Sequence, residues 1–289
     1  MKKQYSKFLL ISTLTLLIFL ILLSFRNINY INQNPNKEQE QIADSLMNLG
    51  YSFYNTEPLK FINFLDSAAR LYDIAECLKK QALCYQNIAF VYQEKLQNFN
   101  KAEEFTLKSI SNWREINDTL NEANLLKYLG AIQGELGKYD IAKSNIKCAI
   151  NKFRLKQFNA GIAVSYYDLA LVYEKEERSD SCIHFLNLNK KFFEAKNDTF
   201  RIFNVNNKLL YTYIKTNNFE QIEQLINSNL SFQVSQRVRW NQKLDFYQFS
   251  NEYYTKIKNE TLSNDYLNKY KTLKDSLIKE GVFTLDKFF

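Results

Sequence analysis

A pattern of apolar and small residues returns at a nearly constant spacing along this chain and predicts pairs of helices. Six segments begin at Ala43, Ala82, Ala123, Ala163, Phe203 and Lys243. The seventh residue of each segment is large and apolar, and the eighth is small in every segment except the fifth, which has Leu210. Such a pattern suits two antiparallel helices whose backbones approach closely at the small residue. The second helix of each segment presents one residue to that contact: Ile62, Ala102, Ala142, Cys182, Ile222 and Leu262.

One helical hairpin has too little apolar area to form a core alone, whereas stacked hairpins share a continuous one. The period therefore predicts an all-α protein, an α-α superhelix of about six hairpins over residues 43–280. Composition agrees, because 6 Gly and 2 Pro in 289 residues leave few helix breakers.

The third segment carries the most specific signal, since the stretch LLKYLGAIQGELGKYDIAKSNIKCAI closely resembles a tetratricopeptide repeat. The resemblance extends over roughly residues 43–277, although the helix-ending proline of the family is missing. Each unit is about six residues longer than the family's 34, which predicts longer helices or longer linkers. Repeats of this family serve many processes, so the resemblance implies a fold and not a single activity.

The N-terminus has a different character. Lys2, Lys3 and Lys7 precede an uncharged run of 18 residues at 8–25, long enough to nearly span a bilayer core of roughly 30 Å. We predict a cytoplasmic N-terminus at 1–7, a transmembrane anchor at 8–25, a polar tether at 26–42 and a tail at 281–289. The lysines favour repeats outside the cytoplasm, and the resemblance to bacterial tetratricopeptide regulators implies a bacterial cytoplasmic membrane. A cleaved signal peptide and a cytoplasm-facing scaffold are the alternatives.

Charge and reactive residues narrow the function. The net charge of +7 is spread over the chain without a dense basic cluster, so we expect no nucleic-acid partner. His184 is the only histidine, and the four cysteines show no CxxC spacing, so we expect buried free thiols. No nucleophile motif or phosphate-binding loop appears. We therefore expect no enzyme activity, no metal and no cofactor.

What remains is a binding surface. In tetratricopeptide arrays the first helix of each pair lines a concave groove, with positions two, five, nine and twelve facing it. By register, this resemblance implies a groove for a peptide or protein partner, although packing of these side chains is an open alternative. The candidate residues are Tyr51, Tyr54, Gln86, Phe90, Lys127, Tyr167, Asn207, Tyr211, Tyr247 and Tyr254.

The leading interpretation is a non-catalytic, membrane-anchored interaction module outside the cytoplasm. The alternative is a sensor component, because Tyr270 to Leu277 resembles the closing segment of bacterial membrane-associated tetratricopeptide sensors. In those proteins a similar stretch leads into a second membrane helix and a kinase or DNA-binding output domain. This chain stops at Phe289, so we expect it to be a sensor half that acts through a partner, a standalone tether or a truncated relative. The sequence leaves the oligomeric state open.

Overall fold

A computed structural model describes residues 35–232 and 238–281, which form twelve α-helices and no strand. Consecutive helices pair as antiparallel hairpins, so the all-α prediction is confirmed. The described residues fall into two compact units, 35–118 with the first four helices and 119–281 with the other eight. The helices are α1 (Pro35–Tyr51), α2 (Pro58–Ile74), α3 (Leu78–Glu94), α4 (Phe99–Glu115), α5 (Thr119–Glu135), α6 (Tyr139–Leu155), α7 (Asn159–Lys175), α8 (Ser179–Glu194), α9 (Thr199–Lys215), α10 (Ile222–Phe232), α11 (Trp240–Lys256) and α12 (Glu260–Lys279).

Helix length accounts for the spacing of the segments. The helices α5, α6 and α7 each have 17 residues. Short joints, 136–138 and 156–158, separate them. One hairpin with its two joints therefore occupies 119–158, and α7 opens the next hairpin directly after it. The extra length relative to a tetratricopeptide repeat lies in longer helices and not in longer linkers.

Most joints end the preceding helix through a residue in the left-handed backbone conformation, although the joint after α1 does not. Glycine fills this position once within the second unit's joints, at Gly137 with φ 72°, whereas Asn197 and Glu177 fill it elsewhere with φ 52° and 60°. The next N–H then bonds back into the last turn, as Arg178 N donates to the Tyr173 carbonyl at 2.8 Å. This arrangement satisfies carbonyls that the helix end leaves unpaired. At these joints it replaces the missing proline as the signal that stops the helix.

Close backbone approach within a hairpin is clearest at Gly130. A Cβ atom placed there would lie 2.4 Å from Ile146 Cγ1 and 2.8 Å from the Ala142 carbonyl oxygen. No side chain fits at such distances, so α5 and α6 need glycine at this position. The predicted contact between the small eighth position and the second helix is confirmed here.

Two residues predicted to be buried are partly exposed. Leu49 is 47% exposed in the first hairpin and Leu262 is 37% exposed in the last. Residues at the same register positions are buried elsewhere, for example Leu169 at 1% and Cys182 at 0%. Within the described residues no hairpin precedes α1 and none follows α12, which explains the difference.

The predicted tether, 26–42, is corrected at its C-terminal part, because α1 begins at Pro35. Residues 36–41 carry helix-favouring polar side chains but no apolar period, so the pattern did not reveal this helix start. None of the helices in 35–232 and 238–281 combines the length and the apolar character needed to cross a membrane. The segments predicted at 1–7 and 8–25 lie outside the described residues, and so does the tail beyond Gly281.

The cysteines divide into two groups. Cys84 and Cys182 are buried free thiols, as expected. Cys148 is exposed on α6 and Cys77 is half-buried at the start of α3, so the expectation of burial is wrong for these two. Cys148 occupies an exposed position within α6, and Cys77 directly precedes α3, so the apolar period does not require either side chain to be buried.

Candidate partner-binding surface

A cleft in the second unit lies on the C-terminal halves of three first helices, α5, α7 and α9. Its volume is about 480 Å³. Leu171 and Tyr211, both at the ninth position of their segments, supply its less polar surface. Charged side chains supply the rest, and the full lining is Glu135, Leu171, Glu174, Lys175, Glu177, Lys208, Tyr211 and Lys215.

Ion pairs between neighbouring first helices order this lining. The Lys175 ammonium lies 2.8 Å from Glu135 Oε2, and the Lys208 ammonium lies 2.7 Å from Glu174 Oε2. Lys208 also stands 5.2 Å from the centroid of the Tyr211 ring. Because the opposite charges already neutralise one another, the cleft does not select strongly for an acidic or a basic ligand.

Tyr211 has an aromatic neighbour on the next first helix. Its ring centroid lies 5.4 Å from that of Phe249 on α11, with the two planes inclined by 49°. Rings at this distance are in favourable contact. Tyr211 is half-buried, so one part of the ring packs against α11 while another part lines the cleft.

A smaller pocket of about 150 Å³ lies at the N-terminal halves of α7 and α9, beside α8. At this pocket Asn204 Nδ2 donates to the Tyr167 hydroxyl at 3.4 Å. Burial raises the pKa of Tyr167 to about 12, so this hydroxyl stays protonated at neutral pH. The pocket is lined by Val164, Tyr167, Asn189, Phe193, Phe200, Arg201, Asn204 and Val205.

A half-buried ion pair joins α5 and α7. The Lys127 ammonium lies 3.1 Å from Asp168 Oδ2, and the two side chains are 21% and 15% exposed. Burial raises the pKa of the Asp168 carboxyl, and the nearby Lys127 ammonium offsets part of that rise. Lys127 is therefore committed to a partner inside the fold.

Comparison with known proteins places the fold. No protein-family model matches the chain, and no curated protein matches it in sequence. Among solved structures, BtubC (BKLC) from P. vanneervenii is 11% identical with a TM-score of 0.62, covering 84% of this chain and 92% of the other. A Rap protein in complex with Competence and Sporulation Factor is 10% identical with a TM-score of 0.57, covering 81% and 75%. A signal transduction ATPase (STAND) with a tetratricopeptide repeat sensor from Pyrococcus horikoshii is 18% identical with a TM-score of 0.61, covering 84% and 38%.

The chain has a tetratricopeptide-like fold. The resemblance inferred from the third segment is thereby confirmed at the level of fold. Identities of 10% to 18% carry no further conclusion about activity.

The tetratricopeptide-like register places four candidates in the first unit. Tyr51 is exposed and its hydroxyl accepts a hydrogen bond from Asn87 Nδ2 at 2.8 Å. Tyr54 lies under the Lys95 ammonium, 5.2 Å from the ring centroid. Gln86 and Phe90 are half-buried on α3.

Of the six candidates in the second unit, two line a pocket, two are half-buried in contacts within the fold and two are buried. Tyr211 lines the cleft and Tyr167 lines the smaller pocket, whereas Lys127 is held by Asp168. Tyr247 is half-buried on α11, with its ring centroid 6.3 Å from that of Tyr266.

Asn207 and Tyr254 are buried, each 4% exposed, which corrects their assignment to a groove. Asn207 donates to the Gln242 carbonyl at 2.8 Å and accepts from Asn229 Nδ2 at 2.8 Å. The Tyr254 hydroxyl donates to Glu223 Oε2 at 3.2 Å. Polar partners on α10 and α11 hold these side chains inside the fold.

The sixth position of the register was missed. In three segments it carries a polar contact between successive first helices: Asn87 bonds to Tyr51, Asp168 pairs with Lys127, and Lys208 pairs with Glu174. The available signal was a polar residue directly before the buried Ile88, Leu169 and Leu209. Among the described residues, no group of three or more His, Cys, Asp or Glu side chains is placed to hold a metal ion.

Proposed function

We propose that this chain is a non-catalytic interaction module that binds a segment of a peptide or protein in the cleft on α5, α7 and α9. The observation that carries the proposal is the composition of that cleft: Leu171 and Tyr211 between two neutralised Lys–Glu pairs. An aliphatic and an aromatic side chain give contact area at low entropic cost. The paired carboxylates and ammonium groups can accept and donate hydrogen bonds to a peptide backbone.

Cleft size supports a short segment as the ligand. A volume of about 480 Å³ falls within the ~300–1,000 Å³ typical of ligand sites. Such a volume accommodates a few side chains of an extended peptide. The Rap protein with the same fold was solved in complex with Competence and Sporulation Factor, so this repeat architecture can hold a ligand.

A photo-cross-linking experiment tests the site. Lys215 stands at the cleft, and Leu155, at the end of α6, is 81% exposed outside its lining. p-Benzoylphenylalanine in place of Lys215 should yield a discrete adduct with a partner in cells, and the same group in place of Leu155 should not. Identical adduct patterns from both positions would reject the cleft as the binding site.

For location, we propose that residues 8–25 anchor the chain in the bacterial cytoplasmic membrane with the repeats outside the cytoplasm. The support is the uncharged run and the three lysines before it. Alkaline phosphatase fused after Gly281 should be active, because that enzyme matures only outside the cytoplasm. An inactive fusion of full length would instead favour the cytoplasm-facing scaffold.

The second candidate is a sensor component of a signalling system. Two observations favour it: the similarity in fold to a STAND protein with a tetratricopeptide repeat sensor, and the segment from Tyr270 to Leu277. A kinase or DNA-binding domain in the partner captured at Lys215 would favour the sensor component. A partner without such a domain would favour the simple binding module.

A further inference from the structure

Asn189 on α8 is only 3% exposed, yet only one of the two polar atoms of its side-chain amide has a hydrogen-bond partner among the described residues. Nδ2 donates to the Ala163 carbonyl at 2.7 Å. The amide oxygen is buried and has no hydrogen-bond partner within the part of the chain that the structure describes. A buried acceptor without a donor costs about 1–3 kcal/mol, so it points to a missing partner.

The register provides internal comparisons for this position. Ser109, its equivalent in the second segment, donates to the Ala82 carbonyl at 2.7 Å and leaves no amide acceptor behind. Asn229, its equivalent in the fifth segment, is bonded at both ends: Nδ2 donates to Asn207 Oδ1 at 2.8 Å, and Oδ1 accepts from Asn206 Nδ2 at 3.0 Å. In the fourth segment Tyr166 stands where Asn206 stands in the fifth. The amide donor of Asn206 is absent there and the Asn189 acceptor has no partner within residues 35–232 and 238–281, whereas in the fifth segment the oxygen without a partner is that of Asn206.

Asn189 also belongs to the wall of the 150 Å³ pocket described above. Val164, Phe193 and Phe200 make much of that wall apolar. Apolar cavities of about 150 Å³ accept a benzene ring, and one water takes only about 30 Å³ of liquid volume. The Arg201 guanidinium lies 4.9 Å from the Phe193 ring centroid, within the same wall, and its charge is paired with the Asp198 carboxylate.

We infer that this pocket binds an aromatic side chain bearing a neutral hydrogen-bond donor, a phenol such as that of tyrosine, and that the pocket wall shifts on binding so that the donor reaches the buried Asn189 Oδ1. The ring fills the space between Val164 and the two phenylalanines, while the hydroxyl supplies the donor that Asn206 supplies to Asn229. A purely apolar ring would leave the acceptor unpaired. The inference deepens the proposed function and rests on it, since it names one side chain of the bound segment.

The probes are 4-fluorophenol and fluorobenzene, which differ in the donor, titrated into the full chain in lipid nanodiscs and followed by fluorine NMR. Empty nanodiscs correct for partition into lipid. We expect the wild type to bind 4-fluorophenol at least tenfold more tightly than fluorobenzene. Asn189→Ser copies the arrangement of Ser109, keeping a hydroxyl donor for the Ala163 carbonyl while removing the amide oxygen. This variant should bind the two probes with affinities within about twofold.

Val164→Trp fills the pocket and should abolish binding of both probes, which assigns the signal to this site. Circular dichroism melting curves establish that each variant is folded. Three results would each overturn the inference: equal affinities of the wild type for the two probes, no binding of either probe, or an unchanged phenol preference in Asn189→Ser. Water would then be the partner of Asn189.

These probes separate the pocket from the cleft. A phenol preference without an adduct at Lys215 would uphold the pocket and reject the cleft as the partner site. An adduct without a phenol preference would do the reverse.

Discussion

At the scale of single residues, the absence of a side chain at Gly130 sets the distance between α5 and α6. Gly130→Ala forces Ile146 and the backbone of α6 to move, and overpacking of this kind costs about 1–3 kcal/mol in the free energy of unfolding. Gly134, one turn later, is the control: its Cβ would lie 3.1 Å from the side-chain atom Val172 Cγ2, which can shift. Urea denaturation of the full chain measures both. Gly134→Ala should stay within about 1 kcal/mol of the parent, and equal losses for the two variants would contradict the packing argument.

Asp168 gives a residue-scale prediction for pH. Burial raises the pKa of its carboxyl in the folded state, so ionisation is more costly in the fold than in the unfolded chain. The wild type therefore loses stability relative to Asp168→Asn as pH rises above the ordinary carboxyl pKa of about 3.9. Between about pH 3 and pH 7, thermal melting should show that the melting temperature of the variant rises relative to that of the wild type as pH increases. The opposite trend would mean that the ion pair with Lys127 outweighs burial.

At the scale of helices, the short joints depend on backbone conformation. Gln157 ends α6 with φ 53°, where a side chain costs roughly 1–2 kcal/mol relative to glycine. Gln157→Gly should therefore raise the free energy of unfolding by about 1 kcal/mol in urea titrations. Lys156, its neighbour, has φ −91°, so Lys156→Gly should instead lower stability by about 0.5–1 kcal/mol. Changes of the same sign in both variants would contradict this account of the joint.

The helices themselves could largely be predicted from the sequence, because each segment repeats the same buried positions. The start of α1 could not, since residues 36–41 carry no apolar period. The candidate site was only partly predictable. Tyr211 and Tyr167 follow from register, but the burial of Asn207 and Tyr254 depends on partners such as Asn229 and Glu223, which lie on another helix. Asn189 was missed for the same reason. Its amide oxygen lacks a partner in the described ranges because Tyr166, on another helix, does not donate a hydrogen bond to it, and the register does not reveal this.

At the scale of the whole molecule, the binding account involves one unit only. The cleft is formed by α5, α7 and α9, which all belong to residues 119–281. Partner binding should therefore protect the backbone amides of these three helices from hydrogen exchange, while the amides of α1 to α4 exchange at unchanged rates. Protection confined to α1 to α4 would place the partner elsewhere.

The affinity of the partner captured at Lys215 tests the central claim most directly. Isothermal titration calorimetry would compare the full chain with the double variant Leu171→Ala, Tyr211→Ala and with the control Leu155→Ala, which removes an exposed side chain away from the cleft. Removing two contact side chains of this kind costs about 1–3 kcal/mol or more of binding free energy. We predict at least a tenfold rise in Kd for the double variant and no change for the control. An unchanged Kd in the double variant would contradict the account.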